Sequence, residues 1–206
     1  MMSVVVLDYG SGNLRSAQRA LARVGADVTV TDDLAAAAAA DGLVVPGVGA
    51  YAACMAGIDG LGAGPVIAER VRAGAPVLGI CVGMQVLFDA GEEHGVLADG
   101  LGLLPGVVTR LTAPVVPHMG WNTVSWPDGS LLGDGVDADT RYYFVHSYAA
   151  RPSGPLADAG AAVASATHGE PFAAAVELGS LSAVQFHPEK SGDAGAALLE
   201  NWVRAL

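Results

Sequence analysis

Cys81 stands in the run Gly79-Ile80-Cys81-Val82-Gly83, a glycine-x-nucleophile-x-glycine pattern between an apolar run that reads as a strand and a segment that reads as a helix. A thiol on so sharp a turn needs neighbours without side-chain bulk. The N-terminus of a following helix would favour the thiolate, its reactive form. The plain alternative is a small buried hydrophobe, the commonest fate of a free cysteine. Cys54 has no such setting and is read as structural. His187-Pro188-Glu189 supplies what a cysteine nucleophile lacks. In extended backbone, positions two apart share a face, so His187 and Glu189 can meet while Pro188 turns away. His187 then serves as general base and acid, and Glu189 fixes its tautomer and stabilises its cation. A His and a Glu two apart are common in solvated loops; joined to the cysteine turn, they complete a nucleophile, base and orienter set.

Acyl transfer also needs donors for a tetrahedral oxyanion. One is the amide of Val82, just after the nucleophile. Pro46-Gly47-Val48-Gly49, directly after a strand, offers further N–H groups, and its glycines permit unusual peptide orientations. Alone, that segment would be an ordinary strand-to-helix turn. Asp8-Tyr9-Gly10-Ser11-Gly12-Asn13 invites a dinucleotide reading, but it lacks the G-x-G-x-x-G form. Tyr143, His146, Ser147 and Tyr148 make an aromatic polar strand that in isolation is structural. His94, His118 and His168 show no metal-ligand spacing and are read as surface or core residues.

The elements that must position these groups follow from the apolar pattern. Short apolar runs over Val4–Leu7, Val28–Val30, Leu43–Val45 and Val77–Ile80 predict buried strands. Between them, Leu14 to Val24 repeats at helical spacing with Gly25 placed as a C-cap. Pro65 to Ala73 predicts another helix. A helical pattern is expected from Cys81 through Met84, Val86, Leu87 and Phe88, whereas Ala35 to Ala40 is a bland helix or loop. From about Gly106 the strands become short, alternating or aromatic. They are predicted near Val107–Leu111, Trp121–Trp126, Tyr142–Tyr148, Ala161–Thr167, Phe172–Glu177 and Ala183–Phe186. Turns are expected at Pro127-Asp128-Gly129 and Ser153-Gly154-Pro155, and a last helix over Ala194–Leu206 buries Leu198, Leu199, Trp202 and Val203. Strands alternating with helices predict an α/β fold, a mostly parallel central sheet flanked by helices, with an antiparallel extension in the second half. With no linker or repeat, residues 1–206 are expected to form a single domain.

Composition removes other classes of answer. At 206 residues the chain is long enough for an ordinary core. A formal net charge of −11 argues against binding nucleic acid through phosphates. Two cysteines make neither a disulfide framework nor a zinc site. The hydrophobic excess is largely alanine, and no apolar run reaches the roughly 18 residues that span a bilayer. No signal sequence is read at the N-terminus, and a cytoplasmic location is expected.

Gly79 to Gln85 together with Gln185-Phe186-His187-Pro188-Glu189 resembles a class I glutamine amidotransferase domain. Asp8 to Asn13, Pro46 to Gly49, Pro117 to Asn122 and Tyr143 to Tyr148 further resemble the branch that serves imidazole glycerol phosphate synthase. The motifs span residues 8 to 192. The resemblance implies a flavodoxin-like glutaminase fold and a Cys81, His187, Glu189 triad acting through a γ-glutamyl thioester. Val48 and Val82 would supply the oxyanion amides, and Gly47, Gly49, Gln85, Ser147 and Tyr148 would surround glutamine. The implied partner is a (β/α)8 cyclase subunit in a heterodimer, reached by Asn13, Met119, Trp121, Tyr143 and Lys190. Lys190 is also the only lysine in the chain. No cofactor or metal is implied. Such glutaminases are weak until the partner is docked and occupied, and the Val48 peptide, hinged between Gly47 and Gly49, is the expected switch. Val82 replaces a more usual Leu and Ser147 a more usual Thr, and neither change removes a needed amide or hydroxyl. The competing readings are another glutaminase with the same triad, such as that of pyridoxal phosphate synthase, a non-catalytic docking module, and a nucleotide binder. The Pro46 to Gly49 and Pro117 to Asn122 segments weigh against the first, the intact triad against the second, and the missing phosphate loop against the third.

Overall fold

Strands covered on both faces carry continuous apolar runs rather than alternation, and such runs build the centre of this molecule. The computed structural model describes residues 1–152 and 154–206. Its first half runs β1 (Ser3–Leu7), α1 (Leu14–Arg23), β2 (Asp27–Thr31), α2 (Leu34–Ala39), β3 (Gly42–Gly47), α3 (Tyr51–Leu61), α4 (Gly64–Arg72), β4 (Val77–Cys81) and α5 (Val82–Gln85). Then follow β5 (Phe88–Glu93), β6 (Val96–Asp99), β7 (Leu104–Arg110), β8 (His118–Thr123), β9 (Arg141–His146) and β10 (Tyr148–Ala150). The chain closes with α6 (Gly154–Asp158), β11 (Ala162–His168), β12 (Glu170–Leu178), β13 (Leu181–Val184), a 3-10 turn (Pro188–Lys190) and α7 (Gly192–Arg204).

The main sheet has seven strands in the order β11-β12-β13-β4-β3-β1-β2. From β13 to β2 every pairing is parallel, and β12 and β11 extend the sheet antiparallel. Every residue of β3, β4 and β13 is buried, whereas β2, at the edge, is partly open. A four-stranded sheet, β10-β7-β5-β6, and the hairpin β8-β9 complete the second half. The predicted parallel centre with an antiparallel extension is therefore present. Asp33 caps α2 by accepting the N–H groups of Ala35 and Ala36, and α7 buries Leu198, Leu199, Trp202 and Val203 as predicted. Among the described residues no single helix is long and apolar enough to cross a membrane.

Several elements depart from the expected pattern. The helix expected from Cys81 through Phe88 is a single turn, α5, and β5 begins at Phe88. The carbonyls of Val86, Leu87 and Phe88 could have continued the helix, but they accept hydrogen bonds from the 101–104 backbone instead. Tertiary pairing overrides local preference there. Helix α3 and strands β5 and β6 fall outside every predicted element. The strand expected over Tyr142–Tyr148 is two strands broken at Ser147, and those expected at Trp121–Trp126 and Ala183–Phe186 lie a few residues earlier. Ser153, in the predicted Ser153-Gly154-Pro155 turn, lies outside the described residues, and Gly154-Pro155 opens α6.

Candidate active site

Cys81 is the last residue of β4 and takes φ 58° and ψ −116°, a conformation costly for a residue with a Cβ. The cost is met by close packing of its neighbours. A Cβ on Gly83 would overlap the Val45 carbonyl, and one on Gly79 would lie 2.7 Å from a Leu87 methyl. Gly47 is as constrained, because a Cβ there would run into the Gly83 amide. The predicted need for bulk-free neighbours around Cys81 is met at Gly79 and Gly83, and the structure adds Gly47, which pairs in register with Cys81. Because α5 has only four residues, any help to a thiolate comes from its first amides rather than from a long helix dipole.

Parallel pairing removes the sequence distance between the two halves of the site. β13 lies beside β4, so the segment leaving β13 places His187 beside the end of β4. The Tyr143 carbonyl accepts the His187 N–H at 2.9 Å, and Ser191 Oγ donates to the His187 carbonyl at 2.7 Å. His187 Nδ1 sits 2.8 Å from Glu189 Oε1, with both side chains 3% exposed. The pair forms as predicted but not in extended backbone throughout: His187 is extended, and Glu189 lies in the 3-10 turn. Burial works against the imidazolium. Hydrogen bonding and charge from Cys81 and Glu189 outweigh it, raising His187 to about 9.

Cys81 and His187 line a cavity of about 310 Å3 with Val48, Gly49, Val82, Gln85, Ser147, Tyr148 and Lys190. Gly47 and Glu189 are not on its wall; they stand behind it. The wall also includes Tyr51, Glu92, Glu93 and His146, none of which the sequence marked as site residues. Glu93 Oε2 accepts the Tyr51 N–H at 2.9 Å. The adjacent pair Glu92-Glu93 was the available signal, hidden because β5 itself was not foreseen. Carboxylates and one lysine around a small cavity suit a zwitterionic amino acid.

The Pro46 to Gly49 segment is held from below. Tyr9 donates its hydroxyl to the Pro46 carbonyl, and burial pushes that phenol well above its ordinary range. Val48 N–H donates to Ser11 Oγ at 3.2 Å, and Ser11 Oγ donates to Val48 O at 2.9 Å. Cys54 Sγ lies 3.4 Å from Val48 O. The Asp8 to Asn13 segment, unhelpful as a nucleotide motif, therefore clasps the Val48 peptide. Cys54 is fully buried beneath it.

Met119 and Trp121 are 64% and 54% exposed, and Trp121 packs edge-on against Tyr143, its cross-strand partner. Asn13, half-buried, precedes α1, and Lys190 is exposed at the cavity mouth. His94 is exposed, whereas His118 is buried and stacked on His168 at 4.3 Å.

The family model for class-I glutamine amidotransferases matches residues 5–206. A protein of Mycolicibacterium paratuberculosis named imidazole glycerol phosphate synthase subunit HisH is 65% identical over 204 residues, covering 99% of this chain and 98% of its own. The HisH protein of Thermobifida fusca is 59% identical, covering 98% of each chain. Among solved structures, a glutamine amidotransferase has a TM-score of 0.75 at 22% identity, covering 97% of this chain and 98% of its own. The glutaminase domain of CTPS from Trypanosoma brucei has a TM-score of 0.70 at 17% identity, covering 100% and 94%. At those identities the structures speak for the fold alone.

Proposed function

The chain belongs to the class-I glutamine amidotransferase family, and from that membership we propose that it is the glutamine-hydrolysing subunit of an imidazole glycerol phosphate synthase. It releases ammonia to a cyclase subunit, which forms imidazole glycerol phosphate and aminoimidazole carboxamide ribotide in histidine biosynthesis. The observation that carries the chemistry is Cys81 on its strained turn, sharing one cavity with His187 backed by Glu189.

Cys81 Sγ attacks the side-chain amide carbon of glutamine. The resulting oxyanion is met by the Val82 amide and, once its peptide turns, by the Val48 amide. His187 gives its proton to the departing nitrogen, so ammonia leaves and a γ-glutamyl thioester remains. His187 then takes a proton from water, the hydroxide adds to the thioester, and glutamate departs as Cys81 is regenerated. Glu189 holds the imidazole and its charge throughout. Gly47, Gly49, Gln85, Ser147 and Tyr148 shape the glutamine site. No cofactor or metal takes part in these steps.

The partner is a (β/α)8 cyclase in a heterodimer, docked over Met119, Trp121 and Tyr143 with Asn13 and Lys190 at its edge. Residues 1–206 act as one domain in the cytoplasm. Val48 N–H, occupied by Ser11 in this structure, is the gate that docking opens. The test is glutamate release by the chain alone and with the cyclase subunit plus its nucleotide substrate. Low activity alone and strong stimulation in the mixture support the reading. Cys81→Ala should abolish glutamine-dependent synthesis while ammonia-dependent synthesis by the partner continues; retained glutamine hydrolysis would refute Cys81 as nucleophile.

A further inference from the structure

Along and behind the glutamine cavity runs a set of hydrogen-bonded polar groups, buried except for half-buried Asn122 at its start, of which the proposed mechanism uses only Gln85 and Tyr148. It starts at Asn122 on β8, where both ends of the amide are assigned by their neighbours. Nδ2 lies 3.0 Å from the Thr167 carbonyl, which can only accept, and Oδ1 receives the Thr123 N–H at 2.9 Å. The same Nδ2 lies 3.3 Å from His118 Nε2, which must therefore accept. A neutral His118 then carries its proton on Nδ1, 3.0 Å from His146 Nε2. His146 in turn carries its proton on Nδ1 and donates to the Tyr148 carbonyl at 2.9 Å. That carbonyl is a second fixed acceptor, so the assignment reached from Asn122 agrees with the one required at Tyr148.

The Tyr148 carbonyl also fixes a second branch, independent of the histidines, that leads to the nucleophile. Gln85 Nε2 donates to the same carbonyl at 2.9 Å and to Gln185 Oε1 at 2.9 Å. With its oxygen so engaged, Gln185 turns Nε2 toward Cys81 Sγ, 3.9 Å away. Gln185 is 1% exposed, and Gln85, His118 and His146 are 5%, 5% and 6% exposed, so water has little means of reversing the order. Burial lowers His118 to about 4 and His146 to about 3, leaving each ring neutral with one proton near pH 7. Among the described residues, none of these side-chain atoms is a buried polar atom without a partner.

We propose that Gln185 is a further group acting on the nucleophile: it donates an N–H to the Cys81 sulfur and favours the thiolate, and the Tyr148 carbonyl, through Gln85, holds it in that orientation. The proposal rests on the reading of Cys81 as nucleophile. An N–H aimed at an anion is a charge-assisted hydrogen bond, and a thiol gains nothing comparable.

The reactivity of the Cys81 sulfur tests it. In Gln185→Met, which keeps the bulk and removes the donor, alkylation of Cys81 by iodoacetamide at pH 7, located by peptide mass, should slow about tenfold, the size expected for losing a hydrogen bond to a charged group. The kcat for glutamine hydrolysis should fall with it while KM stays close to that of the unaltered chain. An unchanged alkylation rate overturns the proposal. Should Gln185→Met fail to fold, Gln185→Leu, smaller and likewise without a donor, carries the same expectation. Alkylation reads the sulfur without requiring turnover, so glutamine hydrolysis retained in Cys81→Ala would defeat the nucleophile reading separately.

Discussion

Removing the Ser11 hydroxyl should turn up the enzyme in the absence of its partner. Ser11 Oγ accepts from Val48 N–H at 3.2 Å and donates to Val48 O at 2.9 Å, so both ends of the residue that must reorient are tied to one side chain. Two neutral hydrogen bonds contribute about 0.5–1.5 kcal/mol each. Ser11 is half-buried, so water replaces part of that in Ser11→Ala, and about 1–2 kcal/mol of preference for the closed peptide is lost. At about 1.4 kcal/mol per tenfold, the population with Val48 N–H turned inward rises roughly five- to thirtyfold. An oxyanion donor acts on the transition state, so the gain should fall on kcat for glutamine hydrolysis rather than on KM. The assay is glutamate release by the free subunit, wild type against Ser11→Ala, repeated with the liganded cyclase. Free-subunit turnover should rise while turnover in the complex, where the peptide has already turned, stays level. A variant whose turnover without the cyclase is unchanged or lower would refute the clasp.

Glu189→Gln keeps the shape of the pair but removes the charge that helps hold His187 at about 9, so turnover should fall sharply. The sign for stability follows: the folded chain binds this proton more tightly than the unfolded one. The contribution is therefore full below pH 6.5 and lost as pH rises through about 9. Urea midpoints should fall more steeply between about pH 7 and 10 in wild type than in Glu189→Gln, and parallel curves would contradict the assignment. Gly83→Ala puts a methyl onto the Val45 carbonyl and should cost about 1–3 kcal/mol or more in urea unfolding; an unshifted midpoint would mean the turn relaxes freely. Trp121→Ala, at a residue 54% exposed, should leave thermal unfolding unchanged and weaken binding to the cyclase by about 2 kcal/mol or more in calorimetry. Undiminished affinity would remove Trp121 from the docking face.

What could be read from residues alone was what local sterics dictate. Gly79 and Gly83 are required because no Cβ fits at either position beside the strained Cys81, and that requirement shows as a pattern in the chain, whereas the same demand at Gly47 comes from its contact with Gly83 across the sheet. The buried strands β1, β3 and β4 were legible for a similar reason: cover on both faces demands apolar residues at consecutive positions. Helix α3 left no comparable trace. It carries Gly57 because the Tyr9 carbonyl occupies the space a Cβ would need, and its buried Tyr51, Cys54, Met55 and Ile58 are diluted by alanine and glycine. Nor could sequence tell that the helix after Cys81 stops after one turn, since the competing hydrogen bonds come from residues 101–104. Proximity across the chain was decided by parallel pairing of β13 with β4, which sets His187 beside Cys81. Tertiary structure alone brought Ser11 under Val48 and turned Gln185 toward the sulfur. Hydrogen-bond direction depends on which acceptors surround a donor in space, and residue order does not record it.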